Sequence, residues 1–340
     1  MKFYKIQIEP LSALGTQLQA DTIFGHFAWA YKYLYGEDKL KTEIIEPSKN
    51  YSNNSNIPII FSNGFPKDFL PIPVIPEKLP KNDEDKKSEN KKQIDIADYK
   101  KIKKIKYLCR KKFDEIRKTY NQNSIKKLYV EMLGKDKDKK EEYFKKNMSK
   151  KSVQIHNTIN RLTGTTTEDG GLYVKYNQAF EEKSYIDIYI ALNEAIINRD
   201  KLNDTLKLLF ELGYGRDAST GLGRFSYDGN LTEENDFTDF TGYNSIMSLS
   251  NFIPDIMYKD FYYNLMTKYG KLGGEYACHG NPFKKPVLMA EAGATFKIEP
   301  SKKLYGSFIN EMHSDKELNV HQYGFCFPYP INIVEEDSNG

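Results

Sequence analysis

The chain has 340 residues, 50 of them basic and 47 acidic, for a net charge of +3. That balance excludes binding to nucleic acid through bulk positive charge, so any basic surface must be local. The three cysteines, Cys109, Cys278 and Cys326, form no C-x-x-C pair, which excludes a cysteine zinc site and a disulfide framework and agrees with a reducing cytoplasm.

Length predicts about two domains. Residues 2–9 alternate as a strand, with Tyr4, Ile6 and Ile8 on one face. After the loop LSALGTQLQA, a helix is expected from Asp21 or Thr22, either of which can cap it, to Gly36; Phe24, Phe27, Ala28, Tyr31 and Leu34 make its buried stripe. Strand–loop–helix is the opening of a ferredoxin-like βαββαβ unit. Residues 57–62 read as a strand, and the proline-punctuated PKDFLPIPVIPEKLP as a linker. The charged run NDEDKKSENKK is expected to be solvated. From Asp98 to Tyr120 the spacing predicts a lysine-rich helix with Ile102, Ile105, Cys109, Phe113, Ile116 and Tyr120 in one stripe. Its lysines form either a solvated face or a contact for phosphate or a partner. The mixed-charge stretch to about residue 150 completes an insertion of about 77–150, with weak order expected in part of it.

Residues 153–180 read as a long hairpin with a Gly/Thr-rich tip, Gly164 to Gly171. Asn157, Asn160 and Arg161 can hydrogen-bond to phosphate or bases. Strand 184–192, with Ile186, Ile188, Ile190 and Leu192 facing a core, and helix 200–212 lead into GYGRDASTGLGRF, residues 213–225. Gly213, Gly215, Gly221 and Gly223 bracket Arg216, Ser219 and Thr220, and Arg224 begins a strand. Glycine allows positive φ and close approach of a ligand. N–H groups, two hydroxyls and two arginines suit a phosphate chain, although the glycines alone are equally consistent with a cap and a tight connection. The spacing is neither a Walker loop nor a dinucleotide fingerprint. The first domain is expected at 1–235 and a second at 236–340. In the second, a strand, a helical or mixed segment over DIMYKDFYYNLMTKYGKLGG, paired strands around Gly293 and the aromatic strand VHQYGFCFPYPI form a degenerate version of the same α+β unit.

The doubled G-x-G on a helix-to-strand turn resembles the glycine-rich loop of the RAMP superfamily, the RNA-binding proteins of CRISPR systems. LSALGTQLQADTIFGHFAW, the proline-rich segment, HNTINRLTGTT and GKLGGEY…PFKKPVLMAEAGATF resemble, in collinear order, the subfamily of the fourth subunit of the Csm (type III-A CRISPR) effector. Ala20 stands where that subfamily typically has glycine. The resemblance implies two ferredoxin-like (RRM-like) domains and a non-catalytic subunit without cofactor. Such a subunit binds the 5′ handle of the CRISPR RNA, caps the backbone filament beside an adjacent RAMP subunit, docks the large polymerase/cyclase subunit and touches target RNA through the guide duplex. It implies a cytoplasmic protein with no membrane contact; no apolar run approaches ~20 residues.

None of the five histidines lies in a metal-ligand spacing. His26, on the first helix, has three readings: a catalytic group, an RNA contact or a satisfied, partly buried histidine. The first belongs to the alternative that the chain is a metal-independent RAMP endoribonuclease. A further alternative is an assembly subunit with little RNA contact.

Overall fold

In the computed structural model, which describes residues 1–51, 57–76, 96–132, 137–167, 170–237, 239–299 and 304–334, the first strand is Lys2–Pro10. Its alternation buries Tyr4, Ile6 and Ile8, as the sequence predicts. It pairs antiparallel with Ile186–Leu192, Ile6 opposite Ile188. Ile59–Phe61 and Phe65–Pro66 flank the far side of Ile186–Leu192. Phe225–Ser226 and Thr232–Glu233 flank the first strand. Counted in chain order, the four strand positions therefore lie fourth, first, third, second, all antiparallel. The helices Ala20–Tyr35 and Arg199–Leu212 cover one face. Phe27 meets Phe61 at 5.3 Å between ring centroids, and Phe210 meets Phe225 at 5.7 Å.

The central strand departs from the expected alternation: all seven residues of Ile186–Leu192 are buried. Its second face is covered too, since the Tyr189 ring packs on Phe237 (5.0 Å) and Phe327 (6.3 Å). Asp187, 0% exposed, is buried with them. It accepts from Asp68 N (2.8 Å) and Gln7 Nε2 (3.1 Å), and burial pushes its carboxyl pKa up.

The first helix begins differently from the capping prediction. Gln19 is the N-cap residue, and Asn63 Oδ1 accepts from Ala20 N at 2.9 Å. Asp21 instead faces inward, where Lys268 Nζ lies 3.0 Å from its carboxylate and Gln322 Nε2 donates to it at 3.0 Å. A buried charge needs such partners, and stripping one away typically costs about 3–5 kcal/mol. The pair links the first helix to the second half of the chain. Leu34, predicted in the buried stripe, is exposed, because in the last turn Tyr31 and Tyr35 face the core and Leu34 does not.

The second half centres on Ser245–Ser248, flanked by Thr295–Lys297 and Pro328–Ile331. Two prolines are tolerated in the last strand because it lies at the sheet edge. Leu265–Lys268 pairs with Val287–Ala290, and Gly306–Ile309 with Gln322–Phe325. Among the described residues no α-helix follows Leu212. The segment expected as helical or mixed is strand and irregular chain, its backbone groups being paired with 287–290. One apolar core runs through both halves, joining Ile6, Phe27 and Tyr189 to Met247, Tyr323 and Phe327. Trp29 seats the second half on the first helix: a Cβ at Gly274, whose φ is +54°, would come within 2.6 Å of its ring.

The insertion is tied down where it is described. The predicted helix 98–120 is broken into helix Ile96–Ile102, strand Tyr107–Cys109 and helix Arg110–Ile116. That strand lies between Phe69–Pro71 and Phe144–Lys145, so tertiary pairing overrides the helical spacing. Ile102, Ile105, Phe113 and Tyr120 are buried nonetheless. Arg110 bonds Glu234 (2.8 Å) and Asp236 (2.9 Å). The run 82–92 lies outside the described residues; of the later mixed-charge stretch, Lys137–Tyr143 is helical.

Candidate nucleic-acid interface

The hairpin predicted at 153–180 forms from Lys150–Asn157 and Leu172–Ala179, Ile155 opposite Val174. One face carries Val153, Ile155, Leu172, Val174 and Tyr176, all exposed; Ile155 is 70% exposed and, at the tip, Leu162 97%. The root is held by Leu14, which exchanges both backbone hydrogen bonds with Gln178 (2.9 and 2.8 Å).

The glycine loop closes against that root. Gly213 ends the helix with φ +87°. Gly223, at φ +67°, approaches so closely that a Cβ would sit 1.9 Å from Tyr214 O. Most N–H groups of the loop are turned to protein acceptors rather than outward. Gly215 N donates to His26 Nε2 (2.9 Å), Arg216 N to Thr16 Oγ1 (3.0 Å), Gly221 N to Ala218 O (3.2 Å), Gly223 N to Ala13 O (2.9 Å) and Arg224 N to Ser12 Oγ (2.9 Å). Thr220 Oγ1 donates to Asp217 O at 3.0 Å. The N–H groups of Gly215, Gly221 and Gly223 are thus taken up by the protein, and the cradle expected of the loop is reduced to one rim. Among the described residues, the N–H groups of Asp217, Ala218 and Ser219 have no hydrogen-bond partner, and Ser219 is exposed.

Arg216, expected to hold phosphate, reaches the hairpin instead. Its terminal nitrogen donates to Tyr176 O and to Asn177 Oδ1, each at 3.0 Å. Lys175 Nζ adds an ion pair with Asp217 (3.2 Å). The Arg224 side chain is exposed and has no ion pair among the described residues. His26 is largely buried, its ring 4.9 Å from Tyr214. Burial lowers its pKa to about 4, so the imidazole is neutral at pH 7.

The predicted residues therefore fall into two groups. His26, Arg216, Arg224, Ser219, Thr220 and the glycines gather at the hairpin root. Asn157, Asn160 and Arg161 lie toward its tip, Asn157 about 17 Å along the strand from Asn177, five residues at ~3.4 Å each. There Asn157 Nδ2 donates to Thr166 Oγ1 (2.9 Å), Asn160 Oδ1 accepts from Leu162 N (2.9 Å), and Arg161 is exposed.

Beside the root opens a cleft of about 860 Å³ that the sequence did not reveal. Lys151 and Tyr176 of the hairpin, Lys106 and Tyr107 of the insertion, and Asn264 of the second half all line it. Lys151 Nζ rests 3.8 Å from the Tyr176 ring centroid. These residues are spread over more than 150 positions, so no local pattern signals the cleft. Among the described residues, no group of three or more His, Cys, Asp or Glu could hold a metal ion, and no helix is long and apolar enough to cross a membrane.

An antiparallel sheet backed by two helices, with a glycine loop buttressing a long hairpin, defines an α+β protein. A family model of the RAMP superfamily matches residues 18–226, more than half of the chain, and the chain belongs to that superfamily. A search of curated proteins gave no match. Solved structures with chains of similar fold include three of Csm assemblies. A crystal structure of a Csm1–Csm4 cassette in complex with pppApA has a chain 15% identical, with TM-score 0.57, covering 98% of this chain and 100% of its own. The cassette in complex with cA4 gives 14% identity, TM-score 0.58 and coverages of 98% and 99%. The Csm3–Csm4 subcomplex of a type III-A CRISPR-Cas interference complex gives 17%, 0.54, and 98% and 100%.

Proposed function

We propose that the chain is the RAMP subunit of a type III-A (Csm) CRISPR complex that holds the 5′ handle of the CRISPR RNA. It caps the backbone filament beside an adjacent RAMP subunit and docks the large polymerase/cyclase subunit. The hairpin lies where guide–target pairing starts. The observation that carries this reading is the glycine loop bracing the hairpin root beside a lysine- and tyrosine-lined cleft. Unpaired RNA is held by phosphate donors together with aromatic faces on which splayed bases stack, and both are present there. Arg224 and the Asp217–Ser219 rim face the phosphates; Lys106 and Lys151 continue the path. The fourth–first–third–second sheet order supports a ferredoxin-like first domain, and the second half, in which no α-helix occurs among the described residues, is a reduced copy. The first domain spans 1–235 and the second 236–340.

The subunit is non-catalytic in this reading. The candidate general base, His26, already uses its Nε2 lone pair to accept from Gly215 N, leaving nothing at that atom to take a proton from a 2′-hydroxyl. The test is a mobility-shift assay in EDTA with end-labelled RNA bearing or lacking the handle, using the chain alone and with its backbone neighbour. Handle-dependent binding with intact RNA is expected. Binding that ignores the handle would overturn handle recognition while keeping RNA contact, and no binding in either setting would leave an assembly role only; cleavage in EDTA would make the chain a nuclease.

A further inference from the structure

We propose that His26 is a positioning residue: from the first helix it fixes the glycine loop through the Gly215 N–H, and through that loop it sets the root of the hairpin. Its consequence for RNA rests on the reading above; its consequence for the loop does not.

Four consecutive loop residues each reach a different anchor. Tyr214, fully buried, donates its hydroxyl to Gln17 O (2.6 Å) and accepts from Gln19 N (3.2 Å). Gly215 N donates to His26 Nε2 at 2.9 Å. Arg216 N donates to Thr16 Oγ1, and its guanidinium reaches Tyr176 O and Asn177 Oδ1. Asp217 takes the ion pair with Lys175. The chain of contacts runs from helix to loop to hairpin; Tyr214 ties the loop to the start of the helix, and the His26 bond ties it further along. Gly215 sits at φ +77°, and a Cβ there would come 2.7 Å from Thr16 Cβ. Its N–H points at the His26 ring in a part-buried site, where an amide left without an acceptor is costly. An imidazole unprotonated at Nε2 provides it. Burial of the ring keeps that lone pair free of a proton at neutral pH.

The requirement is for one acceptor at one reach. Glutamine can bring Oε1 to about the position of Nε2; asparagine, a carbon shorter, cannot. The experiment compares full-length native chain with His26→Gln and His26→Asn by amide hydrogen exchange, and measures affinity for handle RNA over a salt series. Thermal melts check that both variants are folded. In His26→Asn, exchange at Gly215 and Arg216 is expected to rise roughly tenfold or more, as expected when a local opening becomes easier, and to rise more weakly at the root amide of Gln178. His26→Gln is expected to restore protection. RNA affinity follows the same order, while the salt slope stays native, since a neutral residue releases no counterion. Unchanged Gly215 exchange in a folded His26→Asn chain would overturn the proposal, as would a folded His26→Gln chain that fails to restore it. Loss of RNA affinity without a change in exchange would instead make His26 a direct RNA contact. If native chain does not bind handle RNA, the functional reading fails, and the exchange measurement decides the positioning role alone.

Discussion

The two ends of one hairpin are built in opposite ways. At the root, Leu14, Arg216 and Asp217 hold both backbone and side chains of residues 175–178. Toward the tip, Ile155, Leu172 and Leu162 stand in solvent, and the side chains of Asn157 and Asn160 bond to Thr166 and to the Leu162 amide within the tip itself. Apolar side chains stranded in this way add nothing to the stability of the isolated chain. A fixed root with a bare far end makes a lever whose direction is set by the glycine loop.

That contrast is broken most severely at Gly223. Gly223→Ala adds strain at φ +67° and a clash with Tyr214 O, and should cost about 3 kcal/mol or more, read as a lower urea midpoint and loss of hairpin protection together. Acid acts on the root almost as strongly. His26 has a folded pKa of about 4 against an ordinary 6.5, as does His321. Each therefore contributes stability that is present above pH 6.5 and lost as pH falls from there toward 4, up to about 3 kcal/mol for His26 and a solvent-screened fraction of that for the less buried His321. Unfolding free energy measured from pH 7.5 to 4 should fall with that profile, and His26→Gln should flatten its share. Arg216→Ala removes two bonds from a charged donor and should cost about 2–3 kcal/mol; RNA affinity should fall with little change in salt slope, whereas Arg224→Ala should flatten the slope while leaving stability unchanged. Lys175→Ala cuts a partly solvated ion pair and should cost under ~1 kcal/mol. Leu162→Ser, at the tip, should shift the melting curve by no more than ~0.5 kcal/mol. A tip substitution that destabilised the isolated chain as much as Arg216→Ala would erase the distinction between the two ends.

What could be read from the sequence was whatever a local pattern specifies. The alternation of Tyr4, Ile6 and Ile8, the hairpin arms, and the passage from helix through glycines to a strand all have periods or turn residues of their own. What escaped depended on distant partners. Asp21 has the composition of a cap, yet its carboxylate meets Lys268, 247 residues away. Ile102 to Tyr120 kept a helical spacing although Tyr107–Cys109 is pulled into a sheet; four of the six stripe residues are buried, by tertiary packing of separate elements, while Cys109 and Ile116 are half-buried. The glycine loop was found, but its donors were assigned to a ligand because His26, Thr16 and Ala13, their actual acceptors, lie some 190 to 210 positions earlier. The cleft needed the insertion, the hairpin and the second half in space before it existed at all.

Trp29 is the chain's single tryptophan, and its ring is pressed on one side by the backbone of Gly273 and Gly274 and approached by Lys32 Nζ at 5.0 Å. The protein thus carries its own optical gauge at the seam between its first helix and its second half. Separation of that seam would wet the indole and move its emission to the red before the sheet itself melts, so one fluorescence trace can time the parting of the halves against the loss of far-ultraviolet ellipticity.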